Sequence, residues 1–356
     1  MKLLKKFFNR FLIDGLSGMA LGLFCTLICG TILAQIGSLI GDNTVGNLIS
    51  TIAAGAKVLT GAGIGVGVAV KFQEKSPLVV VSGGAAGMVG AYASSILAGT
   101  FANGAVTLAG PGEPLGAFLA AYAAIEIGHL IAGKTKLDII LTPFVTIAVG
   151  SAVGLVLGPP ISNMMTKLGE LIMWATNEQP LIMGIVVSVL MGMALTLPIS
   201  SAALGISLKL SGIAAGAAVI GCCANMMGFA AASYRENKVG GLVAQGVGTS
   251  MLQMPNIVRR PQIWLPAILT SAVLGPISTM VFRLECDMTG AGMGTSGLVG
   301  PIMTFDTMVQ SGRSTWAVLG LIALMEFIAP AFISLGFSEL MRKFGWIKDG
   351  DMKLSA

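Results

Sequence analysis

Apolar residues in this chain gather in runs too long for the core of a soluble domain. A helix crosses a bilayer with about 20 largely apolar residues. Ten stretches reach that length: 11–40, 45–70, 78–100, 115–133, 138–158, 180–208, 211–233, 239–257, 262–283 and 315–339. The pattern predicts an all-α, polytopic helical membrane protein with about ten transmembrane helices. The segment 163–179 differs. Met164, Leu168, Leu171 and Ile172 share one helical face, while Lys167, Glu170 and Asn177 interrupt the run. This predicts an amphipathic helix lying in the interface. Leu284 to Arg313 is polar but rich in Gly, Met and Thr. It reads as a re-entrant or plug-like loop, because such backbone is tolerated at depth only against protein or water.

The chain also repeats itself. Residues 59–95 lie over 197–233 without a gap at a shift of 138, with ten of 37 pairs identical. Lys71 on Lys209 is the one charged match. Each copy continues into a further apolar helix, a basic cluster (Lys134/Lys136 and Arg259/Arg260) and a segment reading SAV…GP. The expected plan is a first helix at 11–40, repeat one at 45–162, the interfacial helix at 163–179 and repeat two at 180–283. An outer loop, last helix and tail at 284–356 complete it. An interfacial 163–179 makes the two four-helix repeats parallel, and a duplicated helical unit is a common build of secondary transporters. The glycine run Gly61–Gly67 and its partner Pro198-Ile199-Ser200-Ser201 are paired interruptions, as expected of broken helices; a simple kink is the plainer reading.

Composition agrees. Only 10% of the 356 residues are charged and 54% are hydrophobic, against about 25% charged in soluble domains. Forty-nine glycines with 6% aromatics suit helices packed through small residues rather than a β-barrel. The net charge of +5 is scattered in short turns, which suits membrane orientation rather than nucleic acid. Counting it places both termini, Lys71, Lys75, Lys134, Lys136, Lys209, Arg259 and Arg260 on the cytoplasmic side. Lys167, Arg235, Lys238, Arg283 and Arg313 fall outside. The basic start MKLLKKFFNR leads into an apolar stretch too long for a signal peptide, so an uncleaved first helix is expected. Five cysteines lack metal-site spacing, and no Walker A loop, dinucleotide fingerprint or nucleophilic triad occurs. No cofactor, metal or catalytic residue is expected.

Polar side chains inside spans are costly, and for ionisable ones function is the first hypothesis. Tyr122, Glu126 and His129 share one face of the third helix of repeat one. Gln245, Thr249, Gln253 and Asn256 share one face of its counterpart. Together with Asn225, Ser200 and Ser201 they are the expected substrate-binding residues, lining one cavity between the repeats for a hydroxylated solute. Interhelical hydrogen bonding is the competing reading. Lys57 suits an ion pair with Glu126 or Asp14, and Glu326 a packing or oligomer role.

With LSGMALGLF, LTLPISSAALGI, ANMMGFAAASYRENKVGGLVAQGVGTSMLQMPN and SAVLGPIS in view, the chain resembles, over nearly its whole length, the phosphotransferase-system EIIC-type membrane proteins that include the perfringolysin (toxin) regulator PfoR. The resemblance implies a sugar permease subunit of the bacterial inner membrane, homodimeric, served by a separate EIIB and not itself an enzyme. The sequence shows no EIIA or EIIB domain and lacks the GITE-like signature of the glucose-type branch. A membrane sensor or regulator without transport is the alternative.

Overall fold

The computed structural model describes residues 9–101, 108, 110–176 and 179–354. Lys2, Lys5, Lys6 and Asn177 lie outside the described residues. The fold is helical and divides into two compact units, Met1–Thr166 and Lys167–Ala356.

In the first unit, α1 (Asn9–Ile40) is a 32-residue helix with π-type turns at Asn9–Gly15 and Phe24–Ile28. Asn43 caps α2 (Thr44–Val58) by accepting from the backbone N–H groups of Val45 and Gly46. Then follow α3 (Thr60–Lys71), α4 (Pro77–Ala91), α5 (Ala93–Phe101), α6 (Pro114–Ile131) and α7 (Asp138–Thr176). The α2–α3 pair bends by 53° and the α4–α5 pair by 65°. The 39 residues of α7 extend roughly 58 Å, against an apolar bilayer core of about 30 Å. α7 has Pro159 and Pro160 inside it and runs on without a break to Thr176, so 163–176 is not a separate helix.

The sequence GAGIGVG acquires a packing reason. Gly61 and Gly65 face α4, where an added Cβ would strike the carbonyls of Gly87 and Gly83. Gly63 and Gly67 face α1, backed by the carbonyls of Gly22 and Gly18. Glycines every second residue on a helix thus open two faces at once, and α3 is clamped between two backbones. The chain break falls just before the run, at Leu59.

The second unit is built around α10 (Gly212–Ala232), almost wholly buried. Packed on it are α8 (Pro180–Thr196), α13 (Pro261–Phe282) and α15 (Thr315–Lys343). Two stretches expected to cross do not. The first comprises α8, a turn at 197–200 and α9 (Ser201–Ser207). α8 starts where Thr279 donates to the Pro180 carbonyl, near the end of α13. Its far end reaches Asn225 of α10 through Thr196. α9 then returns, and Gly212 beyond it pairs with Cys286 just past the same end of α13. The 180–208 stretch is therefore a re-entrant hairpin.

The second such stretch is α11 (Tyr234–Val243), a π-type turn at Ala244–Gly248, extended Thr249 (φ −159°), a 3-10 turn at Ser250–Gln253 and α12 (Met254–Arg259). Both of its ends meet the C-terminal tail. Asn237 bonds Met352 and Leu354, and Arg260 lies 3.8 Å from Asp351. The 239–257 stretch enters and leaves at one end, so in place of the ten expected crossings the described residues offer six long apolar helices, or up to eight spans with each bent pair counted as one. The third helices of the expected repeats are consequently not equivalent, since α6 is a continuous helix and its counterpart a hairpin. The sidedness changes too: Arg235, Lys238, Arg259 and Arg260 share one end, while Lys209, between α9 and α10, lies at the other.

The loop after α13 behaves as its composition suggested. Arg313 donates to the carbonyls of Phe282 and Arg283 at 2.9 and 3.0 Å, joining its two ends. Between them Gly294 (φ +54°) presses on Cys222, halfway along α10. α14 (Val299–Gln310) follows.

Two substitutions test the packing of α3. Gly65→Val drives a side chain into the Gly83 carbonyl and should cost about 1–3 kcal/mol or more. Gly55, whose Cβ position is open, should tolerate Ala with a gain of about 0.5–1 kcal/mol. Thermal unfolding of the detergent-solubilised protein measures both, and equal melting temperatures for the two variants would refute this packing.

Candidate functional site

The tips of the two hairpins meet. They enter from opposite ends of the second unit, and the Thr196 and Ser250 hydroxyl oxygens lie 2.8 Å apart. Beside them Asn225 projects from α10, with its Oδ1 3.1 Å from the Thr196 hydroxyl. The same Oδ1 accepts from the Trp264 indole N–H at 2.8 Å. Its Nδ2 donates to the Gly221 carbonyl and the Ser271 hydroxyl at 3.2 and 3.3 Å. Ser188 completes the cluster by donating to the Ser271 carbonyl at 2.8 Å. Thr196, Ser188, Asn225, Ser250 and Ser271 are all fully buried.

Local sequence explains the placement. Pro198 lacks the N–H that would continue α8, and the chain leaves the helix right after Thr196. Thr249 is extended and caps the next turn, its hydroxyl accepting from the Met251 N–H at 3.2 Å. That geometry delivers Ser250 to the tip. Small neighbours then admit the tips: Gly192 lies on the Gly221 carbonyl and the Asn225 amide. The result is a neutral group of hydroxyls, one carboxamide and one indole, in which each hydroxyl can donate or accept.

Of the expected site residues, Asn225 lies in this cluster and Thr249 adjoins it. Ser200 is buried at the first tip, and Ser201 donates to the Gly292 carbonyl of the inserted loop at 2.7 Å. The amide stripe does assemble, but around another object. Asn256 donates to Gln253, which donates to Gln245, each at 2.8 Å. Gln253 and Asn256 also donate to the carbonyls of Met352 and Lys353 at 2.8 and 2.9 Å. The stripe ties the two hairpin legs together and clamps the C-terminal tail, whose Ile347 and Met352 are buried.

Glu126 and His129 belong to the first unit and are engaged there. Glu126 pairs with Arg10 at 2.5 Å, not with Lys57, and the Arg10 guanidinium lies 4.2 Å over Phe72. Tyr122 packs edge-on against Phe11 and Phe72. His129 is in the last turn of α6, with its side chain 59% exposed and 2.7 Å from Glu74. Sequence reasoning missed Thr196, Ser250, Trp264 and Ser271. The available signal was Thr196 immediately before the Pro198 interruption.

A helical unit with paired re-entrant hairpins closing on a polar centre defines the class: a multi-pass membrane protein with the build of a transporter. The family model of the phosphotransferase system EIIC proteins matches residues 13–354, and the chain belongs to that family. Its members are the membrane permease components of sugar uptake, phosphorylation being the work of EIIA and EIIB. A search of curated proteins gives no significant match.

The tail clamp is open to test. Gln253→Leu removes two donated bonds and leaves the Met352 carbonyl and Gln245 short of a partner, at about 1–3 kcal/mol. Limited proteolysis should then remove the C-terminal residues several-fold faster than in the wild type. Unaltered protection of the tail would show that the amide chain does not hold it.

Proposed function

We propose that this chain is the EIIC-type permease subunit that binds a small hydroxylated solute, a sugar or sugar derivative, and carries it across the bacterial inner membrane by alternating access. The meeting of two opposed re-entrant tips on the neutral Thr196–Asn225–Ser250–Ser271–Trp264 cluster carries this reading. A sugar hydroxyl both donates and accepts, so it can replace the Thr196–Ser250 and Asn225 bonds one for one as the tips part. A charged substrate would find no counter-ion in this cluster. Trp264 adds an aromatic face and an N–H donor, a combination suited to a sugar ring and its rim of hydroxyls.

Ser200, Ser201 and Thr249 form the flanks of this site. Gln245, Gln253 and Asn256 act on the hairpin that must move. Glu126 and His129 serve the first unit. The helix break at Leu59 in that unit and the one at Leu197 in the second stand 138 positions apart in sequence, the shift of the sequence match. That correspondence supports a common origin for the leading parts of the two units. The end holding the C-terminal tail also holds Arg235, Lys238, Arg259, Arg260, Arg342, Lys343, Lys348 and Lys353, and it is assigned to the cytoplasm by its basic excess. A homodimer served by a separate EIIB completes the proposal.

Binding of sugars and polyols to purified protein, followed by tryptophan fluorescence, tests the site. Asn225→Ala should weaken the affinity roughly ten- to hundred-fold, the scale of one to three kcal/mol for a buried hydrogen-bonding group, while the melting temperature stays within a few degrees. Proteoliposomes should show saturable counterflow of the same solute. Wild-type affinity in a folded Asn225→Ala variant would remove the site. Solute binding without counterflow would favour the sensor reading.

A further inference from the structure

One buried carboxyl is used by none of this. Glu326 is fully buried in the middle of α15, and neither of its oxygens has a hydrogen-bond partner among the described residues. It enters no ion pair there either. The groups facing it come from three elements: Cys223 from α10, Cys286 from the inserted loop and Thr304 from α14. Cys223 and Cys286 are the titratable ones, and no cationic side chain is among them. The Thr304 hydroxyl stands beside Glu326 and Cys286 but is itself outside hydrogen-bond geometry.

Backbone geometry marks the same place with one of the five π-type turns among the described residues. Glu326 sits within a π-type turn, Ala323–Ile328, that interrupts an otherwise α-helical span. Such turns recur at functional positions because they cost helix stability and redirect one side chain. Glu326 lines neither a cavity of about 300 Å³ bounded by Phe282, Met308, Arg313 and Leu324 nor one of about 430 Å³ bounded by Arg260, Trp346 and Lys348. A proton is the ligand that a carboxyl so enclosed can take without room being made for it.

We propose that Glu326 is a proton-binding site that couples protonation to the position of the loop inserted between α13 and α14. With the loop seated, an ionised carboxylate would be buried without a partner, at a cost of several kcal/mol, so the seated state holds the neutral acid. Loop withdrawal admits water. The O–H bond of the acid then breaks, the proton passes to that water and the carboxylate is left solvated. Reprotonation reverses the step and reseats the loop. Uptake and release of one proton thus bias the loop that covers Cys222 and Ser201, on the side of α10 next to the hydroxyl cluster.

Infrared spectroscopy of the purified protein, with isotope-labelled glutamate, tests the first half. At neutral pH the wild type should show a buried carboxylic-acid carbonyl band that shifts with the label, vanishes in Glu326→Gln and moves in Glu326→Asp. The labelled wild type decides the point even where a variant does not fold: no glutamic-acid band overturns the proposal. Maleimide labelling of Cys286, which the seated loop buries, tests the second half. The rate in each protein is corrected for its own thiol titration, measured with the loop-independent denatured chain, before the wild-type to Glu326→Gln ratio is taken. That ratio should rise several-fold from neutral to alkaline pH, and a flat ratio would refute the coupling. Both readouts are independent of sugar binding, so failure here leaves the hydroxyl site standing, and the reverse.

Discussion

The second unit depends on how close other backbones can come to α10. Its sequence, GIAAGAAVIGCCANMMGFAAA, offers small residues on every side. The Ser188 carbonyl fits over Gly221, the Leu284 carbonyl over Gly216, Gly294 against Cys222 and Ser334 over Gly228. Hairpins and loops carry unpaired peptide groups, which lipid cannot satisfy. They survive at depth only if a protein surface is near enough to replace water, and α10 is that surface. A larger residue at Gly221 or Gly216 would displace the backbone that shapes the polar centre, not merely loosen a helix contact.

The polar centre follows from the same constraint. Each broken helix leaves carbonyls and amides without intrahelical partners, and the side chains gathered at the break are those that can stand in for them. Asn225 uses both lone pairs of its carbonyl and both amide hydrogens. A centre so fully satisfied is stable closed, and under the proposed function it would open for a guest offering an equivalent set of donors and acceptors. The proposed selectivity for hydroxylated solutes and occlusion in their absence would then have one physical origin. The first unit contains no counterpart among its described residues. Its equivalent helices pass through glycine contacts, and the ion pairs among its described residues are Arg10–Glu126 and Glu74–His129.

Hydropathy made the helices legible, together with the break at Pro198 and the burial of the loop after α13. It could not distinguish a crossing from a return. The 239–257 stretch has the length and apolarity of a span, and nothing in its periodicity reveals that Thr249 is extended. That outcome is decided by partners distant in sequence: Thr196 at the tip, and Met352 and Lys353 at the base. The amide stripe, expected to bind substrate with hydrogen bonding inside the bundle as the competing reading, bonds a tail about 100 residues away. With both returns missed, Lys209, Arg235 and Lys238 change side, while Arg259 and Arg260 keep theirs.

Glu326 illustrates the opposite limit. Its sequence context is an apolar helix ending in Pro330, and a lone acid there reads as a packing oddity. Its meaning lies in what does not surround it among the described residues: no paired cation and no bonded hydroxyl. A structural carboxylate in a membrane acquires a partner, because the alternative is expensive. One kept bare in a helix turn that is itself costly is instead poised between two states, and the loop packed around it supplies the means of changing between them. The loop carries Cys286 beside the carboxyl and the Gly292 carbonyl that holds Ser201 at the first hairpin tip, so one loop movement would reach both. A proton could thereby set which face of the site is open without ever touching the solute.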